Sequence, residues 1–406
     1  MVKIIKQTVQ EVSYYLISTK QSKRITLIIS SLYIELVLLN IKISHFVLMQ
    51  KTLLFTVSKL YFCTQIMLQK KTGVLLVNLG TPDSPGNKDV YKYLIEFLTD
   101  ERVIDFGWLK RNLLVRGIIV PARYKHSAST YRKIWDSERG SPLLYHTQDL
   151  GKLVQQQLGD EFIVEIAMRY QSPSLETALE KMRQLQVNKI VVLPLFPQYS
   201  SACTGSILQK VQDITSTWQT IPDIKFIHQF YDDALFINAF ATRGKSYNFD
   251  EYDHVVFSYH GIPARQIMKA DISGCHCLQN ENCCSKIESM NQHCYKAQCY
   301  QTTRLLVKEL NLPKEKYTLS FQSRLGKEVW LEPYTVDVLP QLAKEGKKKL
   351  LIFCPAFVAD CLETLYEVQE EYLELFRGHG GESITLVESL NSEPEWVDAV
   401  CHLVKN

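Results

Sequence analysis

The sequence predicts an open α/β fold of two similar doubly wound lobes, each with a mainly parallel sheet, and a cleft between them. Three observations predict it. Short apolar runs rich in Val and Ile recur along the chain. Each is followed by a longer segment with helical spacing, the pattern of buried parallel strands joined by crossover helices. The runs divide four and four about the segment near 230–250, so two like halves are the economical arrangement.

The first half takes strands at 74–78, 162–168, 190–195 and 224–228, and the second at 255–259, 318–321, 350–354 and 384–387. Between them the apolar spacing predicts helices at 88–99, 126–136, 146–158, 174–186, 203–217, 231–243, 293–310, 335–345, 358–377 and 394–404. This gives an N-terminal lobe over 67–229, a C-terminal lobe over 230–390 with a cysteine insert at 273–299, and a C-terminal helix within 391–406. In such sheets ligands bind beside the carboxyl ends of the strands.

With 46% hydrophobic residues in 406, the chain can bury a full core, which excludes disorder. Lys and Arg total 46 against 43 for Asp and Glu, and a net charge of +3 carries no footprint for nucleic acid. Residues 1–66 read differently: they contain neither Pro nor Gly. The apolar stretch 25–41 is interrupted by Glu35, and 46–62 by Lys51 and Lys59. Neither matches the roughly 20 apolar residues of a membrane span. A targeting or membrane-surface extension, an accessory helical hairpin, and translation from a start upstream of Met67 all remain open. The core lacks a spanning helix, which places the protein in the cytoplasm, with peripheral membrane contact as a further expectation.

Chemistry concentrates where strands end. His260 follows the strand at 255–259 and precedes a Gly-Ile-Pro turn, so an imidazole stands where an open sheet presents ligands, able to accept a proton or bind a dication. A hydrogen-bonded structural His is the plainer reading. After the strand at 350–354, a turn feeds a helix carrying Asp360, Glu363, Glu367, Glu370, Glu371 and Glu374, with no Lys or Arg before Arg377. Glu363, Glu367 and Glu371 fall four apart on one stripe, where like charges cost about 0.2–0.5 kcal/mol per pair. A cation or bound protons would relieve that, although a solvated acidic face is the ordinary alternative. Arg169 and Tyr170 end the second strand, and Arg169 suits a carboxylate or phosphate. The Ser, Thr and Gly residues of 200–206 suit a helix cap. Asn78-Leu-Gly-Thr-Pro-Asp83 lacks the Walker lysine, so nucleotide binding has little support.

Together these segments resemble the ferrochelatases, which insert ferrous iron into a porphyrin. The resemblance covers about residues 72–404. It rests on Leu76-Val-Asn-Leu-Gly-Thr-Pro82, Met168-Arg-Tyr170, Leu193-Pro-Leu-Phe-Pro-Gln-Tyr-Ser200, Ser258-Tyr-His-Gly-Ile-Pro263, Ser320-Phe-Gln-Ser-Arg-Leu-Gly326 with Trp330-Leu-Glu-Pro-Tyr-Thr335, and the block from Phe357 to Tyr366. The resemblance implies that protoporphyrin IX and ferrous iron are the substrates and protoheme the product. It makes His260 and Glu363 the metal-contacting, proton-handling pair on opposite sides of the ring. Asp360, Glu367 and Glu371 become the acidic support and metal path behind Glu363. Leu79, Arg169, Tyr170 and Tyr199 then line the porphyrin cleft, shaped also by Gln322, Ser323 and Arg324. Cys361 departs from members with a His there. The implied chemistry bends the ring, exposing its nitrogen lone pairs, while two pyrrole protons leave. Chelation of another tetrapyrrole (coproporphyrin, or cobalt insertion into a corrin precursor) and a non-enzymatic haem or iron carrier are the alternatives.

Of eleven cysteines, six lie between Cys275 and Cys299, too unevenly spread for a disulfide scaffold. Four thiolates bind zinc or an iron–sulfur cluster. Some bacterial ferrochelatases resemble this region and carry a 2Fe-2S cluster there, which makes such a cluster the expectation, ahead of zinc, free thiols or disulfides. Cys277, Cys284, Cys294 and Cys299 are the expected ligands, with Cys283 and Cys275 as alternates, because adjacent Cys283 and Cys284 are poorly placed to share one tetrahedral iron. Cys63, Cys203, Cys354, Cys361 and Cys401 read as small buried residues.

Overall fold

Strand β1 (Thr72–Gly80) has Val74, Leu75, Leu76 and Val77 all without solvent exposure, because it runs centrally in a sheet covered on both faces. The structure is a computed structural model that describes residues 71–406 apart from 280, 281, 325 and 327. The expectations for 1–66, including Cys63 and the start at Met67, lie outside the described residues. β1 pairs in parallel with β2 (Phe162–Tyr170) and β3 (Lys189–Pro194), and β3 pairs with β4 (Asp223–Phe226). The second sheet repeats the plan with β5 (His254–His260) between β6 (Tyr317–Gln322) and β7 (Lys349–Phe353), and β8 (Ser383–Leu386) at its edge. The orders β2-β1-β3-β4 and β6-β5-β7-β8 are the same topology used twice. All strands are parallel, so all their carboxyl ends in one sheet open on one edge.

The eight expected strands are present, while some helices differ in extent. Trp108–Leu114, a π segment Val115–Ile119 and Val120–Ile134 follow one another without a break, where the sequence spacing predicts a helix only from 126. Trp108, Leu109, Leu113 and Ile118 are well exposed on this rod, so apolar positions do not mark a buried stripe. Pro121 adds a false stop signal, since it falls at the junction of the π and α segments inside a continuous rod. A short helix, Ala264–Ala270, leads away from His260 and was not expected. The acidic segment expected as a helix over 358–377 starts at Glu363 and is wound as a π helix to Tyr372, continuing as α through Gly378.

One core cluster draws on both halves, combining Leu76 and Leu193 with Phe257 and Phe353. The C-terminal helix Pro394–Lys405 packs on Ala234–Lys245 and on Pro142–Leu158 of the first half. Its Trp396 is fully buried against Phe230 and Phe236, and Asp398 accepts a hydrogen bond from Gln157 Nε2 at 2.6 Å.

Candidate active site

The first lobe contributes a wall at the ends of β1 and β2. Gly80 has φ +121°, and a Cβ there would lie 2.2 Å from the Tyr170 carbonyl oxygen, so only glycine lets the two strand ends approach. That packing, rather than phosphate binding, accounts for the Asn-Leu-Gly-Thr-Pro turn. Leu79 is half-buried against a cluster containing Tyr93, Tyr131 and Tyr170. Arg169 and Tyr170 both turn to Asp100, whose Oδ2 accepts from Arg169 Nη2 at 2.6 Å, Tyr170 OH at 2.9 Å and Ser206 Oγ at 2.5 Å. Arg169 Nε also donates to Ser206 Oγ at 2.7 Å. The carboxylate partner that suits Arg169 is therefore supplied by the chain itself, and this cation stiffens the wall. Tyr199, half-exposed, is fixed by its backbone N–H, which donates to Gln298 Oε1 at 2.7 Å.

The second lobe contributes His260, half-exposed at the last position of β5. Its Nδ1 lies 2.6 Å from the Gly261 carbonyl oxygen, and its backbone carbonyl accepts from Tyr295 OH at 2.8 Å. Trp330 and Phe357 flank the imidazole with ring centroids 6.4 and 6.3 Å away. Gln322, paired with His260 across the β5–β6 ladder, joins this residue to the acidic helix. Its carbonyl accepts from Gly261 N–H at 2.8 Å, and its Nε2 donates to the Glu363 carbonyl at 3.2 Å and to Glu367 Oε2 at 3.0 Å. Ser258 Oγ donates to Gln322 Oε1 at 2.8 Å, which fixes the amide's orientation.

The acidic residues have unlike surroundings. Glu367 also accepts from Ser323 Oγ at 2.6 Å and Tyr372 OH at 2.6 Å. Ser323 holds φ 65°, a costly conformation for a non-glycine residue that this bond helps secure. Asp360 is buried and accepts from Thr364 Oγ1 at 3.0 Å and Asn391 Nδ2 at 2.8 Å, so it anchors the entry to the π helix. Glu371 sits at the open end of the stripe, where desolvation first and the charge of Glu367 second raise its carboxyl above the usual range. The wider winding of a π helix still keeps positions four apart near one face, and such turns recur at functional sites. Arg324 stacks over Tyr334, 4.5 Å from its centroid.

Glu363 faces the first lobe. Burial and then the negative charge of Glu363 raise the phenol of Tyr93, and Glu363 also raises that of Tyr131, behind burial and the charge of Tyr93. Leu362, next in sequence, packs on the cluster holding those two tyrosines. Cys361 is buried beside Glu363, and burial followed by the Glu363 charge pushes its thiol well above the ordinary range. The acidic carboxylate thus meets a neutral donor where some family members carry an imidazole. Asp100, Tyr93, Tyr131, Tyr372 and Tyr295 are functional candidates that the sequence reading missed. The only sequence signals were tyrosines at buried positions of amphipathic helices, which read equally well as core.

In the insert, Cys277, Cys283, Cys284 and Cys294 are buried and Cys275 is exposed. The Cys283 and Cys284 sulfurs lie 3.6 Å apart. Cys294 lies near Cys284 and Cys277, whose thiols, Cys284 foremost, hold its own below the ordinary range. Cys299 instead meets Tyr295 and, buried, has its thiol raised. The structure therefore brings Cys283 near Cys277, Cys284 and Cys294, while Cys299, still within reach of Cys294, has Tyr295 as its hydrogen-bonding neighbour. Adjacent cysteines are compatible with such a grouping because their sulfurs converge. Among the described residues no three His, Cys, Asp or Glu side chains are arranged as a site for one ion.

Comparison with known proteins identifies the relationship. The Ferrochelatase family matches residues 71–406. Ferrochelatase of Legionella pneumophila (strain Paris) is 46% identical over 334 residues, covering 82% of this chain and 98% of the relative. Ferrochelatase of Coxiella burnetii (strain Dugway 5J108-111) is 44% identical over 337 residues, covering 82% and 93%. Among solved structures, SirB from Bacillus subtilis with Fe3+ aligns at a TM-score of 0.44 and 13% identity over 82% of this chain and 94% of that one. The family match over residues 71–406 and the two relatives at 44–46% identity establish that the chain belongs to the ferrochelatase family of metal chelatases, which are lyases.

Proposed function

We propose that the chain inserts ferrous iron into protoporphyrin IX to give protoheme, with His260 and Glu363 handling metal and pyrrole protons on opposite sides of a bent ring. The observation that carries this reading is the Gln322 junction, which ties the strand end bearing His260 to the π helix bearing Glu363. An imidazole beside Trp330 and Phe357 supplies a base in an apolar wall. The carboxylate beside Cys361, Tyr93 and Tyr131 supplies a charged partner whose neighbours are neutral donors. Binding of the ring periphery offsets the cost of bending it. Glu367 and Glu371 continue the acidic path, while Asp360 supports it. Purified protein given ferrous iron and each porphyrin under anaerobic conditions should show catalytic turnover with protoporphyrin. Stoichiometric binding without turnover would make it a carrier, and preference for coproporphyrin would reassign the substrate.

The cysteine insert is proposed to hold a 2Fe-2S cluster through Cys277, Cys283, Cys284 and Cys294. Their contacts run in a chain, Cys283 to Cys284, Cys284 to Cys294 and Cys294 to Cys277, which brings four thiols to one place, the number a 2Fe-2S cluster takes. The cluster would supply a one-electron couple and a covalent link between distant parts of the insert. Cys283→Ser is expected to remove most iron and acid-labile sulfide, and Cys299→Ser to retain both. The opposite pattern restores the sequence-based choice.

The protein is proposed to work in the cytoplasm and to touch a membrane peripherally. Among the described residues no helix is long and apolar enough to cross one. The rod from Trp108 exposes Trp108, Leu109, Leu113 and Ile118 and carries Lys110 and Arg116, a composition suited to an anionic lipid surface. Trp108→Asp with Leu113→Asp should abolish sedimentation with vesicles containing anionic lipid; unchanged sedimentation would exclude this face.

A further inference from the structure

Helix Tyr295–Glu309 begins immediately after Cys294, which is its N-cap residue. Its buried face touches both lobes at their strand ends. Tyr295 OH donates to the His260 carbonyl at 2.8 Å, and Thr303 Oγ1 lies 2.8 Å from Tyr259 OH. Toward the first lobe, Gln298 Oε1 accepts from the Tyr199 N–H at 2.7 Å and Thr302 Oγ1 accepts from Gln198 Nε2 at 3.0 Å. Tyr295 is 6% exposed, and its hydroxyl, with Cys299 as its other neighbour, is held on the His260 carbonyl without competition from solvent.

The other end of the insert is tethered just as firmly. Helix Ala264–Ala270 leaves the His260 turn and ends at Asp271, whose Oδ2 accepts from the N–H groups of His276 at 2.9 Å and Cys277 at 2.8 Å. Cys277 is thus tied to the segment leaving His260, and Cys294 to the helix that returns to it. A link between these two sulfurs closes the loop at its base.

We propose that Tyr295 is a positioning residue that couples the cysteine centre to His260. Joining Cys277 to Cys294 holds the first turn of the helix in place, and Tyr295 passes that constraint to the peptide that orients the imidazole. The centre then acts on iron insertion by ordering the His260 turn, without carrying electrons to the porphyrin. This inference rests on the proposed roles of His260 and of the cysteine quartet.

The test uses the full chain purified anaerobically, comparing wild type, Tyr295→Phe, Cys277→Ser and the double variant. Tyr295→Phe should keep wild-type iron and sulfide, lower kcat about tenfold and leave the porphyrin KM within about twofold, since the phenyl ring still fills the site. Hydrogen exchange of the 258–262 segment should rise in Tyr295→Phe and in Cys277→Ser, with no further rise in the double variant, because both changes break one chain of contacts. Wild-type kcat in Tyr295→Phe, or additive exchange in the double variant, overturns the proposal. His260→Ala is the control: full turnover in that variant refutes the role of His260 itself, and iron loss in Tyr295→Phe shows a structural role at the centre instead.

Discussion

Replacing His260 by Ala should lower kcat by about 10²–10⁴-fold, the range that a positioned acid or base contributes, while porphyrin binding changes little. The imidazole stands at the end of a strand whose residues from His254 to Tyr259 are buried, so its removal leaves the fold intact. Trp330 and Phe357 remain to hold an apolar ring. Glu363→Gln should have a loss of similar size. The amide keeps the shape and the contact with Cys361 but removes the charge that Tyr93 and Tyr131 face. Single-turnover metallation together with porphyrin fluorescence titration separates the two effects. A rise in porphyrin Kd that accounts for the whole loss would make either residue a binding group only.

Asp100→Ala is expected to cost about 3–5 kcal/mol of stability, the penalty for stranding one member of a buried ion pair. The Arg169 and Asp100 side chains are 14% and 6% exposed, so neither charge has water to replace its partner. The hydroxyls of Tyr170 and Ser206 lose the same acceptor. Asp100→Asn should fall between wild type and Ala, since it keeps an acceptor and loses the charge. The urea midpoint at constant slope measures the difference. An unchanged midpoint in Asp100→Ala would mean that Arg169 finds another partner and is free to meet a ligand.

The parts of this molecule most legible in the sequence were the central strands, buried on two faces. Each of the eight strands is a short apolar run in a parallel sheet, and β1 and β5 at the sheet centres are the clearest. His260 was legible for the same reason, as a polar residue closing an apolar run. The rod from Trp108 was not, because its apolar side chains face outward and Pro121 imitates a boundary. Asp100 lies in a polar helix-ending segment, and only the approach of β2 and the Ser206 helix gives it meaning. The cysteine grouping depended on how the backbone turns between positions 277 and 294, which spacing does not specify. Cys283 joins the group because two adjacent sulfurs converge, and Cys299, one turn into the following helix, points to Tyr295.

The proposed reaction needs a tetrapyrrole held bent between an imidazole and a carboxylate. A crystal structure with a bound porphyrin tests this most directly. The expected result is a non-planar ring whose central nitrogens lie between His260 and Glu363, one on each face. A flat ring, or one whose nitrogens are remote from both side chains, contradicts it.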